Sequence, residues 1–181
     1  EIIKFFNIDK LSKSSSIFSY KKLNFFNNHY MRIENGLLEF NQYCEKNKIL
    51  KILMEEDKDK LNKIFQVYKK DLVNFGELVK IANVYFDKNF KYNQNEKLGA
   101  EFKDFFNDFV NNISNIENWT RDEIQKSIEN FIGIKNIKFP ILGKPVRYLL
   151  INSFNGPSIS DIFVILGKKD SIDRLNQYID Q

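Results

Sequence analysis

The chain has 181 residues and a mass of 21.6 kDa, with 43% hydrophobic and 29% charged residues, which bounds it to one ordinary folded domain or two small ones. A chain this long buries roughly 70% of the surface it exposes when unfolded, and its single cysteine (Cys44) and single histidine (His29) exclude a disulfide framework, a cysteine-rich zinc site and a His-based metal cluster. The net charge of +4 comes from 24 Lys and 4 Arg against 24 acidic residues; that mild basic bias suits an anionic partner, but the wealth of Lys, Asn and Ile beside only two alanines, Ala82 and Ala100, points to an AT-rich genome that raises Lys whatever the function.

Period-3.6 patterning dominates and period-2 alternation is almost absent, so the fold class expected is all-α. The chain begins at Glu1 with Ile2, Ile3, Phe5 and Phe6, which read as the end of a helix already under way in a longer protein. Ser19 can cap a helix that carries Leu23, Phe26, Tyr30 and Ile33 on one face and ends near Gly36. Leu37, Leu38, Phe40, Tyr43 and Cys44 form a second, short helix. A long helix follows through Leu61, Ile64, Phe65, Tyr68 and Leu72; Gly76 can break it, and Leu78, Ile81, Ala82, Tyr85 and Phe86 continue after a bend. The polar, aperiodic stretch Asp87 to Glu96 is the main boundary.

Beyond it, Leu98, Phe102, Phe105, Phe106, Phe109, Val110 and Ile113 make a strongly amphipathic helix. Thr120 and Glu123 form a capping box before Ile124, Ile128 and Phe131, with Gly133 as the stop. Pro140 and Pro145 flank the entry to a helix through Val146, Leu149, Leu150 and Ile151. Gly156-Pro157 is a turn, Ile159 to Leu166 a helix stopped at Gly167, and Asp170 caps a last helix with Ile172, Leu175 and Ile179. No apolar run approaches the roughly 18–20 residues of a membrane span and nothing resembles a signal peptide. A lone cysteine then favours the cytoplasm.

Several residue groups invite a chemical reading. His29 would need a polarising partner to act as a base; as a helix residue it more often bonds locally or faces solvent. Lys10-Leu11-Ser12-Lys13-Ser14 matches the lysine loop of class I aminoacyl-tRNA synthetases, whose second lysine stabilises charge on ATP phosphates, yet no nucleotide-binding sheet accompanies it and a polar loop is the simpler reading. Glu55-Glu56-Asp57 and the pair Asp104/Asp108, interleaved with Lys58, Lys60 and Lys103, read as solvated helix faces. In the C-terminal third, Arg147 precedes a turn pinched by Gly156 and Pro157. Such a corner can offer backbone polar groups, a proline face and an arginine plane to an unstacked base. It can equally be a chain reversal in which Arg147 pairs with an acid such as Asp161.

Two stretches carry a resemblance. Lys22-Leu23-Asn24-Phe25-Phe26-Asn27-Asn28-His29-Tyr30-Met31-Arg32, preceded by Lys13-Ser14 and Phe18, is one. Pro145-x-Arg147-x-x-Leu150, Gly156-Pro157, Leu166-Gly167-Lys168 and Arg174-Leu175, in that order, is the other, with Trp119-Thr120 and Glu123 between them. Together they resemble the C-terminal half of bacterial glutamyl-tRNA synthetases over essentially the whole chain. In that family the catalytic lysine loop lies upstream of the region covered, so the likeness at Lys10–Ser14 is coincidental.

The resemblance implies two helical bundle domains after the tail of a stem-contact segment: residues 1–35 the tail, 36–92 the first anticodon-binding domain and 93–181 the second. It implies anticodon recognition by Arg147, by the turn at Gly156 and Pro157, and by the apolar residue Ile159. Gly156 stands where some relatives have a hydroxyl, and Ile151-Asn152 where the family has Thr-Gly. For the third anticodon base the matching position is near Asp71, beside Lys69 and Lys70. No arginine is present there, and a lysine lacks the planar fork that reads a base edge, so relaxed selection is expected. The implied partners are tRNA-Glu and, on that relaxed selection, tRNA-Gln, bound by a monomer. ATP and Mg2+ would serve only the parent enzyme, leaving the fragment inactive alone. Two other readings stand beside this one: the helical cage of a class I lysyl-tRNA synthetase, and a helical protein-interaction module with no RNA role.

Overall fold

The computed structural model describes residues 17–33, 36–96 and 98–179; Lys10–Ser14 lies outside them. The described residues form ten helices and no strand. Their bounds are α1 Tyr20–Arg32, α2 Gly36–Lys46, α3 Lys48–Glu56, α4 Lys58–Tyr68, α5 Glu77–Phe86, α6 Ala100–Ser114, α7 Arg121–Lys135, α8 Phe139–Ile151, α9 Ile159–Leu166 and α10 Lys168–Ile179. None is long and apolar enough to cross a bilayer.

Helices α2 to α5 pack on one another and α1 leans on α2; helices α6 to α10 form a second group. Each group is centred on aromatic rings. Phe40 stacks on Phe65 at 4.5 Å between centroids, with Phe75 tilted alongside. In the other group Phe102, Phe106, Phe109 and Phe163 are fully buried, and Trp119 meets Phe163 edge-on while its indole N–H donates to the Phe163 carbonyl at 3.0 Å.

Local signals set most of the ends. Ser19, Thr120 and Ser158 each accept a backbone N–H from the first turn that follows, as side-chain oxygens do at helix N-termini. At Thr120 only half of the expected box forms: Glu123 N–H donates to Thr120 Oγ1, while the Glu123 carboxylate turns to Lys126. Four boundaries differ from the sequence expectation. Helix α3 has no counterpart there; Asn47 caps it by accepting from Ile49 and Leu50. The helix expected through Leu72 ends at Tyr68, and the break expected at Gly76 is a turn over residues 69–76 between α4 and α5. Helix α7 runs through Gly133 and stops at Asn136, which takes the left-handed conformation at φ 51°. Asp170 lies inside the first turn of α10, which begins at Lys168 rather than at a cap on Asp170.

Three features join the groups. Helix α9 packs on α4. The segment after Asp87 is a strap rather than a free linker: Phe90 and Tyr92 are buried, the Gln177 amide donates to the Phe90 carbonyl, the Asn152 amide to the Lys91 carbonyl, and the Tyr148 hydroxyl to the Asn93 carbonyl. Arg174 closes the seam. It is 4% exposed, donates to the carbonyls of Leu150 at 2.6 Å, Val84 at 2.9 Å and Asp87 at 3.3 Å, and lies 3.9 Å from the Phe90 ring centroid. Those carbonyls belong to the C-terminal turns of α8 and α5, where helices leave acceptors unpaired and favour a cation. Burial pulls this guanidinium down to about 10 against the nearby carboxylates of Asp170 and Asp87.

Candidate nucleic-acid interface

The C-terminal corner is built by α8, the turn after it and the start of α9. Pro140 sits in the first turn of α8, where a missing N–H costs nothing; Pro145 is inside the helix and withholds the donor that the Ile141 carbonyl would receive. Asn152 ends α8 in the left-handed conformation at φ 54°. The family's Thr-Gly has glycine there, and Asn is the residue that best replaces it. Its side chain also ties the turn to the strap, accepting from Asn93 N–H at 2.8 Å and donating to Lys91.

Arg147 is 9% exposed. Its Nε donates to the Pro157 carbonyl at 3.0 Å and its Nη1 to the Phe154 carbonyl at 2.9 Å. It therefore holds the turn from inside, and no carboxylate pairs with it among the described residues; Asp161 instead takes Arg121 at 2.7 Å and the Ser158 hydroxyl. Burial lowers the Arg147 guanidinium, opposed by the charge it feels from Tyr68 and Tyr85. Gly156 has φ +141°, a backbone that L side chains rarely adopt. A Cβ placed there would lie 3.7 Å from Arg147 Cδ and 3.9 Å from the Tyr68 hydroxyl, so space is available and the backbone angle is the constraint. Gly156 is exposed and Pro157 half-buried. Ile159, at 1% exposed, is in the core beneath the turn.

Lys70 and Asp71 are exposed in the 69–76 turn of the N-terminal group. That turn is held from α1: the Asn28 amide donates to the carbonyls of Lys70 and Leu72, and Arg32 donates to the Lys70 carbonyl. Tyr68, just before it, hydrogen-bonds Tyr85 through the hydroxyls at 2.9 Å, and burial raises both phenols. Tyr68 also approaches Gly156, so the two halves of the expected site face one seam. Sequence reasoning placed Arg147, Gly156 and Pro157 in one corner, and the structure brings them together. It missed Asn28 and Arg32 as supports for Lys70 and Asp71; their i, i+4 spacing, which puts both on one face of α1, was the available signal.

The other candidates resolve into ordinary contacts. His29 is exposed, edge-on to Tyr30. Glu56 pairs with Lys88 at 2.7 Å and Asp108 with Lys135, while Asp57 caps α4 through Lys60 N–H. Leu23, Phe26 and Tyr30 on α1 and Ile33 just after it are exposed among the described residues.

A family model for the anticodon binding domain matches residues 37–179. The chain is 29% identical to the glutamate–tRNA ligase of Mycoplasma mycoides subsp. mycoides over 182 aligned residues, covering 97% of this chain and 37% of that protein. Its fold is that of a region in two solved structures: a glutamate tRNA ligase from Elizabethkingia meningosepticum (TM-score 0.76, 22% identity, 97% of this chain and 35% of that one) and a glutamate–tRNA synthetase from Elizabethkingia anophelis (TM-score 0.74, 20% identity, 97% and 34%). The chain thus spans little more than a third of the length of these proteins.

Proposed function

Because the chain belongs to the anticodon-binding-domain family, we propose that it binds the anticodon arm of a tRNA as the recognition portion of a glutamate–tRNA ligase. The observation that carries this reading is the family match over residues 37–179, which contains the whole corner from Arg147 to Ile159. The relative of 29% identity over 97% of the chain points to glutamate as the amino acid. Adenylation of glutamate with ATP and Mg2+ is assigned to the rest of a longer cytoplasmic enzyme, with this portion inactive by itself and monomeric.

In this mechanism exposed lysines attract the phosphates of the anticodon arm, a term that weakens as salt rises. Arg147 fixes the turn by its two carbonyl bonds, Ile159 supports it from the core, and the Gly156-Pro157 face receives splayed bases. The third anticodon base falls to Lys70 and Asp71. Without an arginine fork there, tRNA-Glu and tRNA-Gln are both accepted. Discrimination by a well-read base is worth roughly 1–3 kcal/mol.

The test is filter binding of a tRNA-Glu anticodon stem-loop across a salt series. The expected result is retention with a linear fall of log affinity against log salt; no retention, or a flat response, overturns the reading. The tRNA choice is tested separately with the intact enzyme, where strong discrimination against tRNA-Gln at the third base would refute relaxed selection.

A further inference from the structure

The turn over residues 69–76 is fastened on both sides of Asp71. The Asp71 and Leu72 N–H groups donate to the Tyr68 carbonyl at 2.8 and 3.3 Å. On the other side, the Asn28 side-chain nitrogen donates to the Lys70 carbonyl at 3.0 Å and to the Leu72 carbonyl at 2.6 Å, and Arg32 Nη2 donates to the Lys70 carbonyl at 2.5 Å. An amide nitrogen carries two donors, and here both go to the carbonyls that bracket Asp71. Leu72, 2% exposed, roots the turn in the core. Lys70 and Asp71 are exposed, and their side chains make no hydrogen bond or ion pair with the described residues.

This fastening comes from outside the helices that the turn connects. Asn28 and Arg32 lie 38 to 44 positions earlier, on α1, which precedes residue 37, where the match to the anticodon-binding-domain family begins. They are one helical turn apart on one face of α1, and the exposed Leu23, Phe26 and Tyr30 are on the opposite face. The polar face of α1 is thus given over to the turn. A backbone held in this way loses its freedom on folding rather than on binding, which raises affinity and sharpens choice without adding a contact to the ligand.

We infer that Asn28 and Arg32 are positioning residues for base recognition: they hold the 69–72 backbone so that Lys70 and Asp71 meet one unpaired base, the third of the anticodon, in a fixed pose. The inference rests on the anticodon-arm reading above and deepens it. Selection at that base then depends on a helix outside the matched domain, and the turn is set by α1 as much as by α4 and α5.

The experiment uses stem-loop RNAs in which each anticodon nucleotide in turn is abasic, titrated against the 181-residue chain and its Asn28→Ala, Arg32→Ala and Arg32→Lys variants, with urea unfolding of each chain to show that it is folded. For the unaltered chain, removing the third base weakens binding roughly fivefold to tenfold. In Asn28→Ala and Arg32→Ala that penalty falls below about twofold while the penalties at the first two bases persist. Arg32→Lys, which keeps a charged donor for the single Lys70 carbonyl, restores it. An unchanged third-base penalty in both alanine variants overturns the positioning role. So does equal weakening towards all the RNAs, which is what loss of a phosphate contact or of the fold produces. Binding of the intact stem-loop with no third-base penalty in the unaltered chain overturns it too and leaves the anticodon reading standing. Failure of the unaltered chain to bind the intact stem-loop overturns the anticodon reading and the positioning role with it.

Discussion

Helices α1 and α8 are each thirteen residues long and both rich in apolar side chains, yet α1 buries one residue, Met31, and α8 buries nine. The difference is partnership. Helix α8 is covered by α6, α9 and α10, and its one charged buried residue, Arg147, has carbonyl partners. Helix α1 touches α2 and grips the 69–72 turn through Asn28 and Arg32, while Phe25 and Phe26 face outward among the described residues. Apolar content makes a helix able to be buried; neighbours decide whether it is.

That contrast can be broken or sharpened by substitution. Leu149→Ala, at a fully buried site on α8, should cost about 2–5 kcal/mol in urea unfolding; a loss under 1 kcal/mol would show the core around α8 to be plastic. Arg174→Gln strips three carbonyls of a charged donor and should cost about 2–3 kcal/mol. It should also separate the two groups, so that Trp119 fluorescence and Cys44 labelling no longer report one transition. Coincident transitions would mean that the strap alone couples them. Arg147→Ala should cost about 1–2 kcal/mol through two lost bonds and weaken stem-loop binding about tenfold; normal affinity would detach the turn from recognition.

Smaller effects follow in the N-terminal group. Cys44 is fully buried and its thiol is pushed up to about 12, chiefly by burial. Labelling at pH 8 should therefore wait for opening of the group. Because the thiol ionises more readily in the unfolded chain, raising pH from 9 towards 12 should erode stability, and less steeply in Cys44→Ala, where only the raised phenols such as Tyr68 and Tyr85 still contribute. At the bottom of the scale, Phe25→Ser on α1 should change stability by no more than about 0.5 kcal/mol; a larger loss would place an unrecognised packing partner against that face.

What could be read from the sequence were the features written in neighbouring residues. Ser19 and Thr120 announce caps, Gly167 a stop, and the phenylalanine spacing of α6 its buried face. Helix α3 escaped because it is only nine residues long and is parted from α2 by the single residue Asn47, so no turn signal of glycine or proline marks it off. Asn136 displaced Gly133 as a stop because left-handed asparagine leaves no distinctive local pattern. The partners of Arg147 and Arg174 are backbone carbonyls, which every residue carries, so no spacing could identify them. The corner itself was legible, whereas the approach of Tyr68 to Gly156 needs two helix groups brought across a seam.

The Asn28 and Arg32 contacts tie residues 38 to 44 positions apart. A torque applied to α1 therefore reaches the Lys70–Leu72 carbonyls directly, beside the hold that Met31 has on the interior, and Asp71, between those carbonyls, sits at the tip of a lever whose handle is the helix bearing Tyr20 to Arg32.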